Sequence, residues 1–379
     1  MTRTICAVAC MAALVSVASA ETVTLKITNP LDEARPDAVC VGDASLLGEG
    51  VEEGAYVGAS QDGQKVAVQV DDLDDNGVAD QLFMVLNLRA DETKSVWVDL
   101  DRPWDGGDMA DVRLSWRYPG YAALETNVIA FGLYGIYAPA GFAASLQWDL
   151  YGKRPATHVL SLDALEDVNY HEDNPVAVDF LLVGNTMGLG GPIIDGSRPL
   201  KGENGEYTYR ELCNGPVRAG FEVRVTDWAT ERSGRYDATV HYFVYAEHDF
   251  IDAGFEVFPR EEGRGDFGLG IRRIPSPDIF LGDDDEGVLA VMGQQEGIVG
   301  KTGLAIAFDP EHFARWGVEN EEDDSWVVYL NPFGPEDRDY YRARLIGVWS
   351  EGGIATADTM AAHVLGLANR FQTPVEVGR

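Results

Sequence analysis

The 379-residue sequence predicts an all-β fold: a large antiparallel β-sandwich with one C-terminal helix. Three observations carry that expectation. Apolar residues recur at every second position in many short runs, the period of a strand with one buried face. Gly, Pro and Asp clusters separate those runs, and the βα alternation of a parallel sheet is missing. Only one stretch, near the C-terminus, repeats its apolar residues at helical spacing.

Taken in order, residues 1–20 combine a cation at Arg3, an apolar stretch from Ile5 to Val17 and small residues at Ala18 and Ala20. This pattern reads as a secretory signal peptide and predicts a periplasmic or extracellular protein. Alternation then begins with Val23, Leu25 and Ile27, and continues through Val66, Val68 and Val70, Leu82 to Leu88, and Val96 to Leu100. Further strands are predicted at 143–150, 178–183, 217–226, 237–247, 250–257, 303–308, 325–331 and 341–349. After Thr356 or Asp358 as cap, Met360, Val364, Leu367, Ala368 and Phe371 share one helical face. A short helical turn is expected around His312–Trp316. No Pro/Ser linker or repeat divides the chain, so residues 21–379 read as a single large sandwich domain. The acidic runs at 282–287 and 319–324 read as solvated turns.

Composition narrows the function. With 45% hydrophobic residues the chain has ample material for a core, while 63 Asp+Glu against 29 Lys+Arg give a net charge of −34. Such a surface repels phosphate, which argues against nucleic acid as partner, and it suits a salty environment that damps its self-repulsion. Beyond the leader nothing approaches the roughly 20 apolar residues of a membrane span. Cys40 and Cys213 permit one disulfide or two buried thiols. Oligomeric state is not readable from the chain.

Several familiar chemistries are missing. There is no GxxxxGK[ST] loop, and the glycine-rich VGNTMGLGGP at 183–192 reads as a sharp loop. No G-x-S-x-G elbow and no H-E-x-x-H pair occurs; His171-Glu172 runs into Pro175, which disfavours a helix there.

Four constellations remain. In DDLDDNGVADQLF at 71–83, Asp72, Asp74, Asn76 and Asp80 offer hard oxygen ligands suited to a structural calcium, although Phe83 stands where an EF-hand needs its bidentate Glu. The competing reading is a metal-free Asp/Asn/Gly turn between strands. Asp149-Leu150-Tyr151-Gly152-Lys153-Arg154 sets two adjacent cations in an acidic chain, which can serve an anionic substrate or simply a surface salt bridge. Tyr170-His171 supplies a phenol and an imidazole for proton transfer. Arg218 opens a strand that leads to Trp228.

The segments NPLDEARPD at 29–37, DDLDDNGVADQLF at 71–83, ETNVIAFGLY at 125–134, DLYGKR at 149–154, YHEDNPVAVDFLLVGNTMGLGG at 170–191 and GPVRAGFEVRVTDW at 215–228 together resemble a family of secreted bacterial proteins catalogued as a domain of unknown function. The family is common in gene clusters for polysaccharide use, and one relative is described as an oligosaccharide dehydratase acting on ulvan fragments. Phe131-Gly132 and Phe180-Leu181 depart from the Tyr-Arg and Leu-Lys pairs of the resembling pattern. The resemblance implies a mutarotase-like supersandwich and an enzyme that eliminates water from the non-reducing-end uronic acid of an anionic oligosaccharide, leaving a 4,5-unsaturated sugar. No cofactor is required for that chemistry. Lys153, Arg154 and Arg218 would bind the carboxylate, His171 would act as base, and Tyr151 or Tyr170 as acid; Glu125, Asn127 and Tyr134 would hold sugar hydroxyls. A polysaccharide lyase, a sugar epimerase and a non-catalytic carbohydrate-binding protein are the competing readings.

Overall fold

The computed structural model describes residues 22–116, 121–134, 145–157, 159–261, 264–319, 325–333 and 338–379. The leader, the start of the 143–150 strand and nearly all of the 319–324 acidic run lie outside them. Three antiparallel sheets are present. The first has seven strands in the order Arg35–Asp43, Gln81–Leu88, Lys65–Asp71, Gly54–Ser60, Thr93–Pro103, Thr22–Thr28 and Glu376–Gly378. Its alternation is what the sequence spells: Val23, Leu25 and Ile27 point inward while Thr22, Thr24 and Lys26 face solvent. These side chains join Val68, Met84 and Val96 in a core that belongs to this sheet.

The other two sheets form the expected sandwich. A nine-stranded sheet runs from Phe313–Glu319 at one edge to Ala110–Arg113 at the other, and an eight-stranded sheet runs from Glu206–Asn214 to Ile279–Asp283. Phe131, Trp148, Leu189 and Leu269 of the first interdigitate with Phe221, Tyr242, Leu304 and Leu345 of the second. Trp148 meets Tyr242 edge-on at 5.0 Å. Each such fully buried side chain contributes about 1.5–3 kcal/mol, so this layer dominates stability. The seven-stranded sheet is pinned to the sandwich by polar contacts: Gln69 Oε1 accepts from the backbone N–H groups of Val217 and Arg218, and Arg218 pairs with Asp71.

The helix Ala357–Gln372 forms as its periodicity predicts, with Thr356 as cap: Thr359 N donates to Thr356 Oγ1 and Thr356 N to Thr359 Oγ1. Met360, Val364, Leu367 and Ala368 are buried against the outer face of the eight-stranded sheet. Among the described residues no helix is long and apolar enough to cross a membrane.

Three local expectations are corrected. The turn at His312–Trp316 is a single 3-10 turn, Pro310–His312, followed by an edge strand, Phe313–Glu319. The predicted strand at 178–183 shrinks to Val178–Asp179. The glycine-rich stretch contains a buried strand, Leu189–Ile194, where Gly188 takes a left-handed φ of 55° and lies so close to the Trp148 carbonyl that a Cβ would sit 2.6 Å from it. Cys40 and Cys213 are buried and unpaired, and burial pushes the Cys40 thiol up to about 12.

Candidate functional site

The strand Gln147–Gly152 is buried on both faces. Trp148 and Leu150 point into the sandwich core, so the pleat turns Asp149 and Tyr151 to the opposite face of the nine-stranded sheet. There Tyr151 packs with Trp116, Tyr121, Leu162, Leu165 and Ala177 in a second, smaller cluster. Gly132 makes the arrangement fit: any Cβ on it would collide with the Tyr121 hydroxyl. The absence of a side chain at Gly132 thus gives the space to the Tyr121 phenol ring.

Four phenols and two carboxyls converge at this face. Tyr121 and Tyr151 share a hydrogen bond of 3.0 Å, and the hydroxyls of Tyr134 and Tyr151 donate to Asp149 Oδ2 at 3.2 and 3.3 Å. Tyr170 packs edge-on against Tyr151 with ring centres 5.2 Å apart. The register places Asp179 directly opposite Tyr151. Asp179 Oδ2 lies 3.0 Å from His171 Nδ1, and the Asp179 carboxylate is buried while the His171 ring is 66% exposed. Burial, reinforced by the Asp179 charge, pushes Asp149 well above the usual carboxylate range; burial also raises Asp179, against the pull of His171. The same burial, together with the Asp149 charge, raises Tyr121, Tyr134 and Tyr151, so all three phenols keep their protons at neutral pH.

Chemically this is an exposed imidazole paired with a buried carboxylate, beside a buried Asp149 carboxyl that accepts from protonated phenols. With Nδ1 tied to Asp179, Nε2 is left as the basic nitrogen. His171, Tyr170 and Tyr151 are thus brought together as the sequence suggested, and Tyr134 joins them through Asp149.

The predicted cations are not brought together. Lys153 has a fully buried ammonium that bonds Glu125 and the carbonyls of Thr126 and Val159. Glu125 is equally buried and also accepts from Ser161 and the Leu162 N–H. Arg218 is buried between Phe83 and Phe243 and bonded to Asp71 and Gln81. The substrate-binding expectation for Lys153, Glu125 and Arg218 is corrected on that ground: their hydrogen-bonding capacity is satisfied inside the protein. Asn127 exchanges two 2.8 Å hydrogen bonds with Glu247, away from the phenols. Arg154 alone reaches the His171 loop, through Asp173 and the Asn174 carbonyl. Asp149 and Asp179 are functional candidates that the sequence reading left out of its site. Asp149 sits two residues before Tyr151, on the same strand face, and Asp179 interrupts the apolar run VAVDFLLV; both signals were available.

In the 72–80 loop, carboxylate oxygens of Asp72, Asp74 and Asp80 lie within 4.8 Å of one another. Asn76 Oδ1 accepts from Val78 N and shapes the turn, while the N–H groups of Gly77 and Asn76 bond Asp72. Those bonds hold Asp72 below its usual range although desolvation opposes them.

A family model described as "Domain of unknown function (DUF4861)" matches residues 27–377. The chain belongs to this family. No curated protein matches it. Among solved structures it is similar to an alpha-mannosidase from Enterococcus faecalis V583, at 10% identity and a TM-score of 0.54, covering 94% of this chain and 46% of that one. A protein in the glycosyl hydrolase family 38 from Enterococcus faecalis gives 9% identity, a TM-score of 0.53, and coverage of 94% and 47%. The chain spans less than half the length of these neighbours. At such identities the likeness concerns the β-rich fold.

Proposed function

We propose that this DUF4861 protein is a secreted carbohydrate-active lyase that removes water from the terminal uronic acid of an anionic oligosaccharide. The observation that carries the reading is the His171–Asp179 pair set beside the Tyr134–Asp149–Tyr151 group. Elimination needs a base and an acid together, and this pairing offers both. His171 Nε2 takes the C5 proton; the C5–H electrons form the C4=C5 double bond; the C4–O bond breaks and the hydroxyl leaves as water with a proton from Tyr134. Tyr134 suits that role because it is partly exposed, whereas Tyr151 is fully buried and supports it through Asp149. Arg154, tied to the His171 loop through Asp173 and the Asn174 carbonyl, is assigned the uronate carboxylate, whose charge grows as C5 loses its proton. The glycosidase names of the structural neighbours support a carbohydrate ligand. The same groups would serve a lyase with a glycosidic oxygen as leaving group.

Product mass separates the outcomes. Incubated with uronic-acid oligosaccharides, the wild type is expected to yield a product lighter by one water, with a new conjugated-double-bond absorbance and unchanged chain length. Tyr134→Phe and His171→Ala should each slow turnover about a hundredfold or more while leaving the fold intact. Shortened chains would instead indicate lyase cleavage, and an undiminished His171→Ala rate would sink the assignment of the base.

The 72–80 loop is assigned a structural calcium in the same reading. Asp72, Asp74 and Asp80 would hold it, with water completing a shell of hard oxygens.

A further inference from the structure

A cavity of about 260 Å³ lies where the seven-stranded sheet, the eight-stranded sheet and the C-terminal helix meet. Four arginines line it: Arg35 from Arg35–Asp43, Arg342 and Arg344 from Asp339–Trp349, and Arg370 from Ala357–Gln372. In a chain of net charge −34 this concentration of guanidinium groups calls for an explanation.

Internal partners account for only part of it. Arg344 is matched by a two-pronged bond to Asp252, and its Nη1 reaches the Leu367 carbonyl. Arg370 is ion-paired with Glu33, its Nε 3.6 Å from Glu33 Oε1, but that buried Nε makes no hydrogen bond. Arg35 is 3% exposed, donates one bond to the Thr373 carbonyl, and also leaves a buried Nε unsatisfied. Arg342 is exposed, leans on the rings of Phe333 and Phe371 at 5.6 and 5.7 Å, and has no carboxylate partner among the described residues. Beside these four, Asp37 also lines the cavity, and burial and the repulsion of Glu247 raise its pKa. Buried donors without acceptors are costly, and guanidinium groups pair best with planar or tetrahedral oxyanions.

We infer that this cavity is a binding site for a small ligand bearing an oxyanion group, a carboxylate or a sulfate, gripped by Arg35, Arg342 and Arg370. It is separate from the His171 face and stands whether or not that face performs an elimination. Helix docking explains Arg344 and the Thr373 contact of Arg35; it does not explain Arg342, which holds no element in place through a carboxylate.

The test is calorimetric titration of the full chain with inorganic sulfate and, separately, glucuronate, each at constant ionic strength against chloride. Binding of either anion is expected, and which one binds identifies the group the site takes. Arg342→Ala should weaken that binding about tenfold. Arg102→Ala, an exposed arginine near Asp105 and absent from the cavity lining, should leave it unchanged. Arg35→Met should abolish it; if that variant fails to fold, Arg342→Ala decides alone. Absence of binding for both anions, an unaltered Arg342→Ala, or an equal loss in Arg102→Ala would each overturn the inference.

Discussion

At the residue scale the decisive fact about Lys153 is its complete burial with Glu125. Two charges withdrawn from water are tolerable only while both are present and their remaining hydrogen bonds are filled, as they are here by Ser161, Thr126 and Val159. Lys153→Met is therefore expected to lose about 3–5 kcal/mol in denaturant unfolding, because it strands the Glu125 carboxylate. Lys153→Met with Glu125→Gln should recover part of the loss. A Lys153→Met protein of normal stability but lost activity would return the lysine to the substrate. His248 gives a second residue-level expectation. Burial lowers it to about 4 in the fold, from an ordinary 6.5. Between those values the unfolded chain binds a proton that the folded chain does not, so stability falls as pH drops from about 6.5 to 4 and levels off below. The full difference is about 3 kcal/mol. His248→Gln should flatten that part of the pH–stability curve relative to wild type; parallel curves would show that the imidazole is not kept neutral by burial.

At the element scale, strands with one wet face, such as Thr22–Thr28, Thr93–Pro103 and Arg235–Tyr245, were legible because alternation writes that face into the sequence, while strands buried on both faces, such as Gln147–Gly152 and Lys301–Ala307, were legible only as apolar runs between turn residues. Thr22–Thr28 is the clearest case of alternation. Leu189–Ile194 was not legible, since it is buried on both faces and enters its sheet through glycines that signal a loop. The candidate site divides along the same line. Tyr151, Tyr170 and His171 lie in local motifs, whereas the pairing of Asp179 with Tyr151 is a matter of register between segments nearly thirty residues apart. Arg218 was misread for a related reason: its partner, Asp71, is 147 residues away, so nothing beside it in sequence announces that it is buried. The 72–80 loop carries its own expectation. Three carboxylates held close together by backbone N–H bonds repel one another, and a bound cation would relieve that repulsion. Calcium at millimolar concentration should raise the melting temperature, and a chelator should reverse the gain. Asp74→Asn should abolish the response. A melting curve indifferent to calcium would leave the loop as a turn shaped by its own hydrogen bonds.

At the scale of the whole molecule, charge opposes the proposed substrate. A surface of net charge −34 repels an anionic oligosaccharide over distances that salt controls: the Debye length is about 30 Å at 0.01 M, about 10 Å at 0.1 M and about 3 Å at 1 M. Attraction by Arg154, or by the arginine-lined cavity, acts at contact distance and survives moderate screening far better than repulsion from the remote surface does. Raising salt from low to physiological strength should therefore remove mostly the unfavourable long-range part and increase kcat/KM on an acidic oligosaccharide, chiefly through faster association. Toward molar salt the contact attraction is screened as well, and kcat/KM should decline again. Initial rates measured across that range are expected to pass through a maximum. A monotonic fall from the lowest salt would mean that the ligand approaches through a locally positive field strong enough to hide the acidic surface, placing more cationic groups around the site than Arg154 alone supplies.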